Sequence, residues 1–534
     1  MLMMPFHLQL RTGLLLFLAC KVLAAPTSRS VSPSITLDNG TFEGTTDGVS
    51  NRFLGIPFAK PPTGDLRFRL PVPNDAYTGS HSVIAFGPAC PQQGSSASSA
   101  ESEDCLTLNV WAPANATSSD KLPVVAWIYG GGFEFGSTNP YDGAVIVNRS
   151  VALSEPVIYV SMNYRVTAFG FLASKEVKEA GVGNIGLQDQ RQALRWIQKY
   201  IKAFGGDPRK VTIWGESAGA ISVALHMVAN KGNNEGLFRG AFMDSGSPIP
   251  VGDITNGQQD YDALVQETGC SGAADTLECL RQVPFDTLNS AISQSPSIGS
   301  FQSLRLTWLP RADGKFITNN PQILVKQGFV SPVPFVTGDC DDEGTEFAMP
   351  SLNITTDAET RDYFKTFFVP NASESQLDRL LTLYPSNITQ GSPFDTGDLN
   401  AITPQFKRIA AFLGDFVFQA PRRFFLRERA GKQNTWSFLS KRLKSTPNTG
   451  SFHGSELLNA YGGGDLTDYV VNFINHLDPN GAGPEISWPK YDAKSPSPQL
   501  LTFLDGAVPE ALTPDTFREE AINLAIILNF EDPE

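Results

Sequence analysis

The chain has 534 residues, of which 41% are hydrophobic, and a formal net charge of −14. Domains of about 150 residues are typical, but no linker, charged block or repeat marks a boundary inside this chain. We therefore expect one large α/β domain over residues 26–534. The acidic balance argues against a nucleic-acid partner, because proteins that bind a phosphate backbone are usually basic.

The first 25 residues have the layout of a secretory signal peptide. Arg11 precedes an apolar run from residue 13 to residue 20, and the small residues Ala24 and Ala25 follow at a suitable cleavage position. The apolar run is too short to span a bilayer, and no later stretch is long and apolar enough. We therefore expect a secreted, extracellular protein without a stable membrane anchor.

The cysteines and glycosylation sequons fit an oxidising, extracellular compartment. Once Cys20 leaves with the signal, the close pairs Cys90–Cys105 and Cys270–Cys279 are the natural disulfides. Cys340 is then unpaired, and we interpret it as a buried, inert thiol. No Cys/His spacing indicates a metal site. The N-x-S/T sequons are candidate glycosylation sites at Asn39, Asn115, Asn148, Asn353, Asn371 and Asn387.

Short apolar runs alternate with segments of helical periodicity. The runs are typical of buried strands and lie at residues 124–129, 157–160, 210–214 and 333–336. The helical segments are residues 187–204, 218–228, 405–428 and 517–528. This alternation predicts a large, mostly parallel central sheet flanked by helices.

Residues 215–219 read Gly-Glu-Ser-Ala-Gly and match the G-x-S-x-G pattern. A predicted strand ends at Trp214 and a predicted helix begins just after Ser217, which is the strand–turn–helix of a nucleophile elbow. Glycines suit such a turn because a Cβ would clash there. The pentapeptide alone also fits a glycine-rich strand end with a capping serine, but its context favours Ser217 as a nucleophile.

A serine nucleophile needs a histidine base. Of the five histidines, His7 leaves with the signal, His81 precedes the serine among turn residues, and His226 lies on the same predicted helix as Ser217. In the α/β-hydrolase order the histidine comes late in the chain. His453, flanked by small residues, is therefore favoured over His476, which we interpret as part of a surface turn.

The sequence also supplies candidates for the acid and for oxyanion donors. Four carboxylates follow the strand at 333–336, and spacing alone does not choose among them: Asp339, Asp341, Asp342 and Glu343. The Gly-Gly-Gly-Phe run at residues 130–133 follows the first predicted strand, where this fold places backbone N–H donors. The amide of Ala218 lies next to the nucleophile and is a further donor.

These motifs resemble the type-B carboxylesterase/lipase family, the cholinesterase-like branch of the α/β-hydrolases, and most of all its secreted fungal lipases. The matches extend over nearly the whole mature chain. Besides residues 130–133 and 215–219 they comprise residues 53–59, 64–68, 102–110, 184–190, 204–208, 403–408 and 452–457.

The resemblance implies a Ser-Glu-His triad of Ser217, Glu343 and His453, with oxyanion donors at Gly131, Gly132 and Ala218. Both inferred disulfides match family pairs, whereas Cys340 has no partner in that pattern. The implied reaction is hydrolysis of a carboxylic ester through an acyl-enzyme, without a metal or cofactor.

One segment departs from the family pattern. In the family's lipases the loop closed by the first disulfide carries a long flap over the active site. Here the residues between Cys90 and Cys105 are few and include no apolar face that would dock on lipid. The fungal-lipase matches favour a triacylglycerol lipase, and the short loop favours a carboxylesterase for smaller esters. An esterase of a specific secondary metabolite and a non-catalytic adhesion module on the same fold are the alternatives.

Overall fold

The structure is a computed structural model that describes residues 32–94 and 100–533. The predicted signal peptide lies outside the described residues, as does the middle of the loop between Cys90 and Cys105. In the described part of the chain, no helix combines the length and the apolar character needed to cross a bilayer.

The described residues form fourteen strands that belong to two sheets. In chain order they are β1 (Ser34–Leu37), β2 (Asn39–Glu43), β3 (Thr45–Thr46), β4 (Ser50–Pro57), β5 (Thr78–Ser82), β6 (Thr107–Pro113), β7 (Leu122–Ile128), β8 (Ile158–Met162), β9 (Gly206–Glu216), β10 (Gly240–Asp244), β11 (Phe335–Cys340), β12 (Thr435–Ser440), β13 (Gln499–Phe503) and β14 (Glu510–Pro514).

Sixteen α-helices connect and flank these strands within the described ranges. They are α1 (Gly143–Ala152), α2 (Thr167–Phe171), α3 (Lys175–Ala180), α4 (Ile185–Tyr200), α5 (Ala218–Gly232), α6 (Gln258–Glu267), α7 (Thr276–Gln282), α8 (Phe285–Ser293), α9 (Pro321–Lys326), α10 (Asp357–Phe367), α11 (Glu374–Leu383), α12 (Phe406–Gly414), α13 (Ala420–Arg429), α14 (Leu457–Ala460), α15 (Asp465–His476) and α16 (Glu519–Glu531).

The main sheet has eleven strands in the order β14-β13-β12-β11-β10-β9-β7-β8-β6-β4-β3. The strands from β13 to β8 run parallel, and the strands at both ends are antiparallel. The strands β1, β2 and β5 form a separate small sheet. Because the parallel strands all point the same way, the loops at their carboxyl ends meet at one edge of the sheet.

Alternate residues of β7 pack into different hydrophobic cores. Val124, Ala126 and Ile128 belong to the core that includes α4 and α5, whereas Val125 and Trp127 belong to the core that includes α15. Successive side chains of a strand point to opposite faces, so a strand covered by helices on both faces must be apolar at nearly every position. This explains why the predicted strands are continuous apolar runs.

The predicted mostly parallel sheet is confirmed, and the four predicted strands lie within or beside β7, β8, β9 and β11. The helix predicted over residues 405–428 is present as α12 and α13, which a π-helical segment, Asp415–Gln419, joins with helical backbone at both junctions. Pro421 contributes to this π-helical turn, since it has no amide hydrogen to bond the carbonyl four residues earlier. Periodicity alone did not indicate the π-helical turn.

Both predicted disulfides, Cys90–Cys105 and Cys270–Cys279, are confirmed. Cys340 is a free, buried cysteine, as expected. Burial raises the pKa of its thiol well above the usual value, and nearby carboxylates add to this effect. The thiol therefore stays protonated and unreactive at neutral pH.

A buried ion-pair network joins α13 to β11 inside the main sheet and to the residue that follows the edge strand β14. Arg422 on α13 binds Asp339 at the end of β11 (Nε–Oδ2 3.0 Å) and Asp515 just after β14 (Nη2–Oδ1 2.9 Å). Arg423 also binds Asp515 (Nη2–Oδ1 2.7 Å), and all four side chains are fully buried. Burial opposes ionisation of Asp515, but the two guanidinium charges outweigh burial and hold its pKa below its usual range.

We expect Asp515→Asn to destabilise the protein by about 3–5 kcal/mol, because it leaves guanidinium charge buried without its counter-ion. The midpoint of urea unfolding measures this change. Asp75→Asn is the matched control, because the Asp75 side chain is 88% exposed and pairs with Lys60 at the surface; it should change stability by less than about 0.5 kcal/mol. Equal midpoints for the two variants would contradict the expectation.

Candidate active site

Ser217 lies between β9 and α5 in a turn that holds its backbone at φ 54° and ψ −126°. Positive φ is uncommon for a residue with a side chain and costs about 1–3 kcal/mol. Two hydrogen bonds hold the turn in place. The Ser217 amide donates to the Asp244 carbonyl (2.9 Å), and the Ser217 carbonyl accepts from the Ile221 amide (2.8 Å). The predicted elbow is therefore present.

Two glycines allow the turn to lie against β7 and the loop that follows it. A Cβ at Gly219 would lie 2.0 Å from the carbonyl oxygen of Ile128. A Cβ at Gly130 would lie 2.7 Å from the Cβ of Ser217 and 2.6 Å from Oε2 of Glu216. No larger residue fits at either position without moving the backbone. The glycines of both sequence motifs are thus explained by one close approach.

Glu343 is the carboxylate of the acidic cluster that contacts a histidine. Its Oε2 lies 2.5 Å from Nδ1 of His453, and its Oε1 accepts a hydrogen bond from the Cys340 amide at 2.5 Å. Glu343 follows the end of β11, and His453 lies in the loop between β12 and α14. The turn after β11 therefore determines that Glu343 is the carboxylate that reaches His453, which spacing alone did not predict.

The other three carboxylates of the cluster have different partners. Asp339 binds Arg422 in the buried network. Asp341 and Asp342 both bind the ammonium group of Lys444, at 2.5 and 2.6 Å. These three side chains are therefore paired with cationic groups.

The imidazole of His453 is buried between two aromatic rings. Its ring centroid lies 5.1 Å from that of Phe347 and 4.7 Å from that of Phe418. The Nε2 atom lies 3.3 Å from Oε1 of Glu216 and has no hydrogen-bond partner among the described residues. Burial lowers the pKa of His453. A buried, unpartnered nitrogen of this kind is rare in proteins and is available to a reacting group.

Further carboxyl groups lie buried around this imidazole. Burial raises the pKa of Glu343 to about 8 and that of Glu456 to about 7. Burial, followed by the charge of Glu456, also raises the pKa of Glu216 well above its usual value. Glu456 lies 2.7 Å from the Cys340 thiol, which donates to its Oε2.

The sequence analysis did not identify Glu216 and Glu456 as parts of the site. Both belong to segments that the resemblance rests on, since Glu216 directly precedes Ser217 and Glu456 follows His453 by three residues. Their position inside those segments was the available signal. Their proximity to one imidazole depends on tertiary structure and was not predictable from spacing.

The other histidines in the described ranges make contacts with other parts of the fold. His226 is buried and hydrogen-bonded to Gln190 (2.8 Å), and His81 stacks on a phenylalanine of the small sheet. His476 ends α15 and pairs with Glu155 at the surface (3.1 Å). Among the histidines in the described ranges, His453 alone lines the same cavity as Ser217.

Two cavities meet at Ser217. The more open one is lined by the glycine run at residues 130–132, Glu216, Ser217 and His453. The second is lined mostly by apolar side chains. Four residues line both cavities: Gly132, Ser217, Ile298 and Phe347. An ester bond placed at Ser217 would therefore have one side in each cavity.

The expected oxyanion donors lie beside the serine. Gly131 and Gly132 have φ values of 104° and 61°, so this loop needs residues without a side chain. Ala218 is the first residue of α5, where backbone N–H groups have no partner inside the helix. The described residues contain no group of three His, Cys, Asp or Glu side chains arranged to hold a metal ion.

The chain is similar to known proteins over nearly its whole length. The profile of the carboxylesterase family matches residues 31–509. Lipase 2 of Diutina rugosa is 44% identical over 519 residues, which cover 91% of this chain and 94% of the relative. The secreted triacylglycerol lipase LIP1 of Gibberella zeae is 39% identical over 531 residues, which cover 92% and 90%.

The fold is shared with a solved structure. The crystal structure of Aspergillus niger EstA matches with a TM-score of 0.83 and 30% sequence identity, over 95% of this chain and 100% of that one. The large sheet with its flanking helices is thus an α/β-hydrolase fold. The chain belongs to the carboxylesterase family and is a carboxylic ester hydrolase of the lipase and carboxylesterase type.

Proposed function

We propose that this hydrolase works through an acyl-enzyme on Ser217, with His453 as the general base and Glu343 as the residue that orients it. The proposal is carried by one observation. Glu343 holds Nδ1 of His453, while Nε2 is left without a hydrogen-bond partner at the cavity that Ser217 also lines. In free enzymes the hydrogen bond from serine to histidine is often formed only when substrate binds.

In the first step, Nε2 of His453 takes the hydroxyl proton of Ser217 while Oγ forms a bond to the ester carbonyl carbon. The carbonyl electron pair moves to oxygen, and the resulting oxyanion accepts hydrogen bonds from the amides of Gly131, Gly132 and Ala218. His453 then returns the proton to the departing alcohol, which leaves an acyl group on Ser217. A water molecule repeats the sequence and releases the acid.

The buried pair of Glu343 and His453 favours this proton transfer. Before the transfer the pair carries one net negative charge, and after it the pair is neutral overall. Burial raises the pKa of Glu343, which disfavours the net negative pair. It also lowers the pKa of His453, which disfavours a net positive pair with two protons. The pair therefore accepts one proton readily and a second one poorly.

We expect Ser217→Ala to lower kcat for a p-nitrophenyl ester by at least about a thousandfold, because no nucleophile remains. Initial rates at saturating substrate measure this loss, with circular dichroism to check folding. Ser293→Ala, an exposed serine on α8, is the matched control and should keep the full rate. Near-normal turnover by Ser217→Ala would exclude the proposed nucleophile.

We expect Glu456→Gln to shift the acid limb of the kcat/KM profile to lower pH by at most about half a unit, or ~0.7 kcal/mol, because Glu456, with its own pKa of about 7, is only partly ionised there. The Glu456 charge raises the pKa of His453, so its removal lowers the proton affinity of the pair, which keeps its active form to lower pH. A pH-stat series gives the profile. The control Asp75→Asn should leave the acid limb at the same pH. A shift of the acid limb to higher pH in Glu456→Gln would contradict the argument.

Two substrate classes are supported by different observations. The name of the Gibberella zeae relative favours triacylglycerols. The short loop between Cys90 and Cys105 favours smaller esters, because it is too short and polar to form a lipid-docking flap. We propose that the active site is permanently accessible and accepts esters both in solution and at a lipid surface.

We expect the rate with tributyrin to rise smoothly through its solubility limit, because no flap has to open at the interface. Titration of released acid at concentrations below and above saturation tests this. As a control, hydrolysis of soluble p-nitrophenyl acetate should not change when an inert oil emulsion is added. A sharp increase in either assay at the appearance of an interface would show lid-gated activation instead.

We also propose that the protein is secreted. Secretion is supported by the signal-like first 25 residues, by the two disulfides and by the relative named as secreted. Five of the sequon asparagines are exposed, as glycosylation requires, whereas Asn148 is half-buried and its amide donates to Asp47. We therefore propose Asn39, Asn115, Asn353, Asn371 and Asn387 as the glycan sites.

A further inference from the structure

The apolar cavity extends from Ser217 to the C-terminal helix. Near Ser217 it is bordered by Gly132 and Ala218, and α16 with the residue that follows it contributes Asn529 and Asp532. Most of the remaining wall is aromatic or aliphatic, with Ile221, Ile298, Phe347, Phe367, Phe416 and Phe418 among its residues.

Asn529 lines this cavity and has an unpaired hydrogen-bond acceptor. Its side chain is fully buried, with an exposed fraction of 0%, and its Nδ2 donates to the carbonyl of Phe416 at 3.1 Å. Its Oδ1 has no hydrogen-bond partner among the described residues. Since Phe416 fixes the amide, Oδ1 is held in a defined direction. An unsatisfied buried acceptor costs about 1–3 kcal/mol, which a donor would relieve.

Asp532 also lines this cavity and has an unpaired acceptor. It is 6% exposed, and its Oδ1 accepts a hydrogen bond from the Asn371 amide at 2.9 Å. Its Oδ2 has no partner in the described part of the chain. Asp532 directly follows α16 and lies three positions beyond Asn529 in the chain.

We propose that Asn529 and Asp532 form a specificity subsite for ester substrates whose acyl chain carries a hydroxyl group far from the ester carbonyl. An aliphatic chain fits the apolar wall, and a hydroxyl supplies one uncharged donor, which either acceptor can take. An ammonium group fits less well, because its charge would be desolvated in the apolar cavity and burial raises the pKa of Asp532 towards its neutral form. This inference rests on the proposed acyl-enzyme function at Ser217.

Two ester pairs test the subsite with the full enzyme. They are the p-nitrophenyl esters of stearic and 12-hydroxystearic acids, and of palmitic and 16-hydroxypalmitic acids, in mixed micelles. We expect kcat/KM to be about tenfold higher for the hydroxylated member of at least one pair, the factor that one hydrogen bond of about 1.4 kcal/mol supplies. In Asn529→Leu the ratio should fall to about one.

Two further variants complete the design. Asn523→Leu makes the same substitution on the outer side of α16, where the Asn523 side chain accepts from Arg427, and it should keep the ratio of the unchanged enzyme. Asp532→Leu removes the second acceptor and serves as the test if Asn529→Leu does not fold. A ratio of about one in the unchanged enzyme, or a high ratio retained in the acceptor variants, would overturn the subsite. Absence of hydrolysis with every ester would overturn the proposed function itself.

Discussion

The site depends on one steric constraint, the close approach of the Ser217 turn to the end of β7. Ser217 has a backbone conformation that favours glycine, and Gly130 and Gly219 let two backbone segments come closer than any Cβ permits. This contact places the serine hydroxyl, the first turn of α5 and the glycine loop around one small volume. The strain of the turn is balanced by the packing of β9 within a sheet that is covered on both faces.

Burial of acidic groups is the second organising feature. Glu216, Glu343 and Glu456 surround one imidazole, and each has a pKa raised by loss of water. Ionising several carboxyl side chains in so small a buried volume is costly, and their raised pKa values express that cost. Phe347 and Phe418 pack against the same imidazole and help to keep solvent from it.

The sequence allowed the fold class, the nucleophile and the histidine to be predicted, because each depends on local pattern and chain order. Choosing Glu343 from spacing was impossible, since four carboxylates fall within five positions and the turn after β11 decides which one faces His453. The π-helical segment and the approach of Glu456 to the imidazole depend on packing between distant elements. Sequence patterns along the chain do not predict such contacts.

The hydrogen bond between Glu343 and His453 joins positions 110 residues apart, and Ser217 is more distant still from His453. Three strands and the loops after them must therefore be in register before the reacting groups meet. Contacts of such long range form late and slowly during folding, after many local ones. Ester turnover consequently reports on complete folding. A compact chain whose sheet is not fully assembled would have secondary structure but no activity.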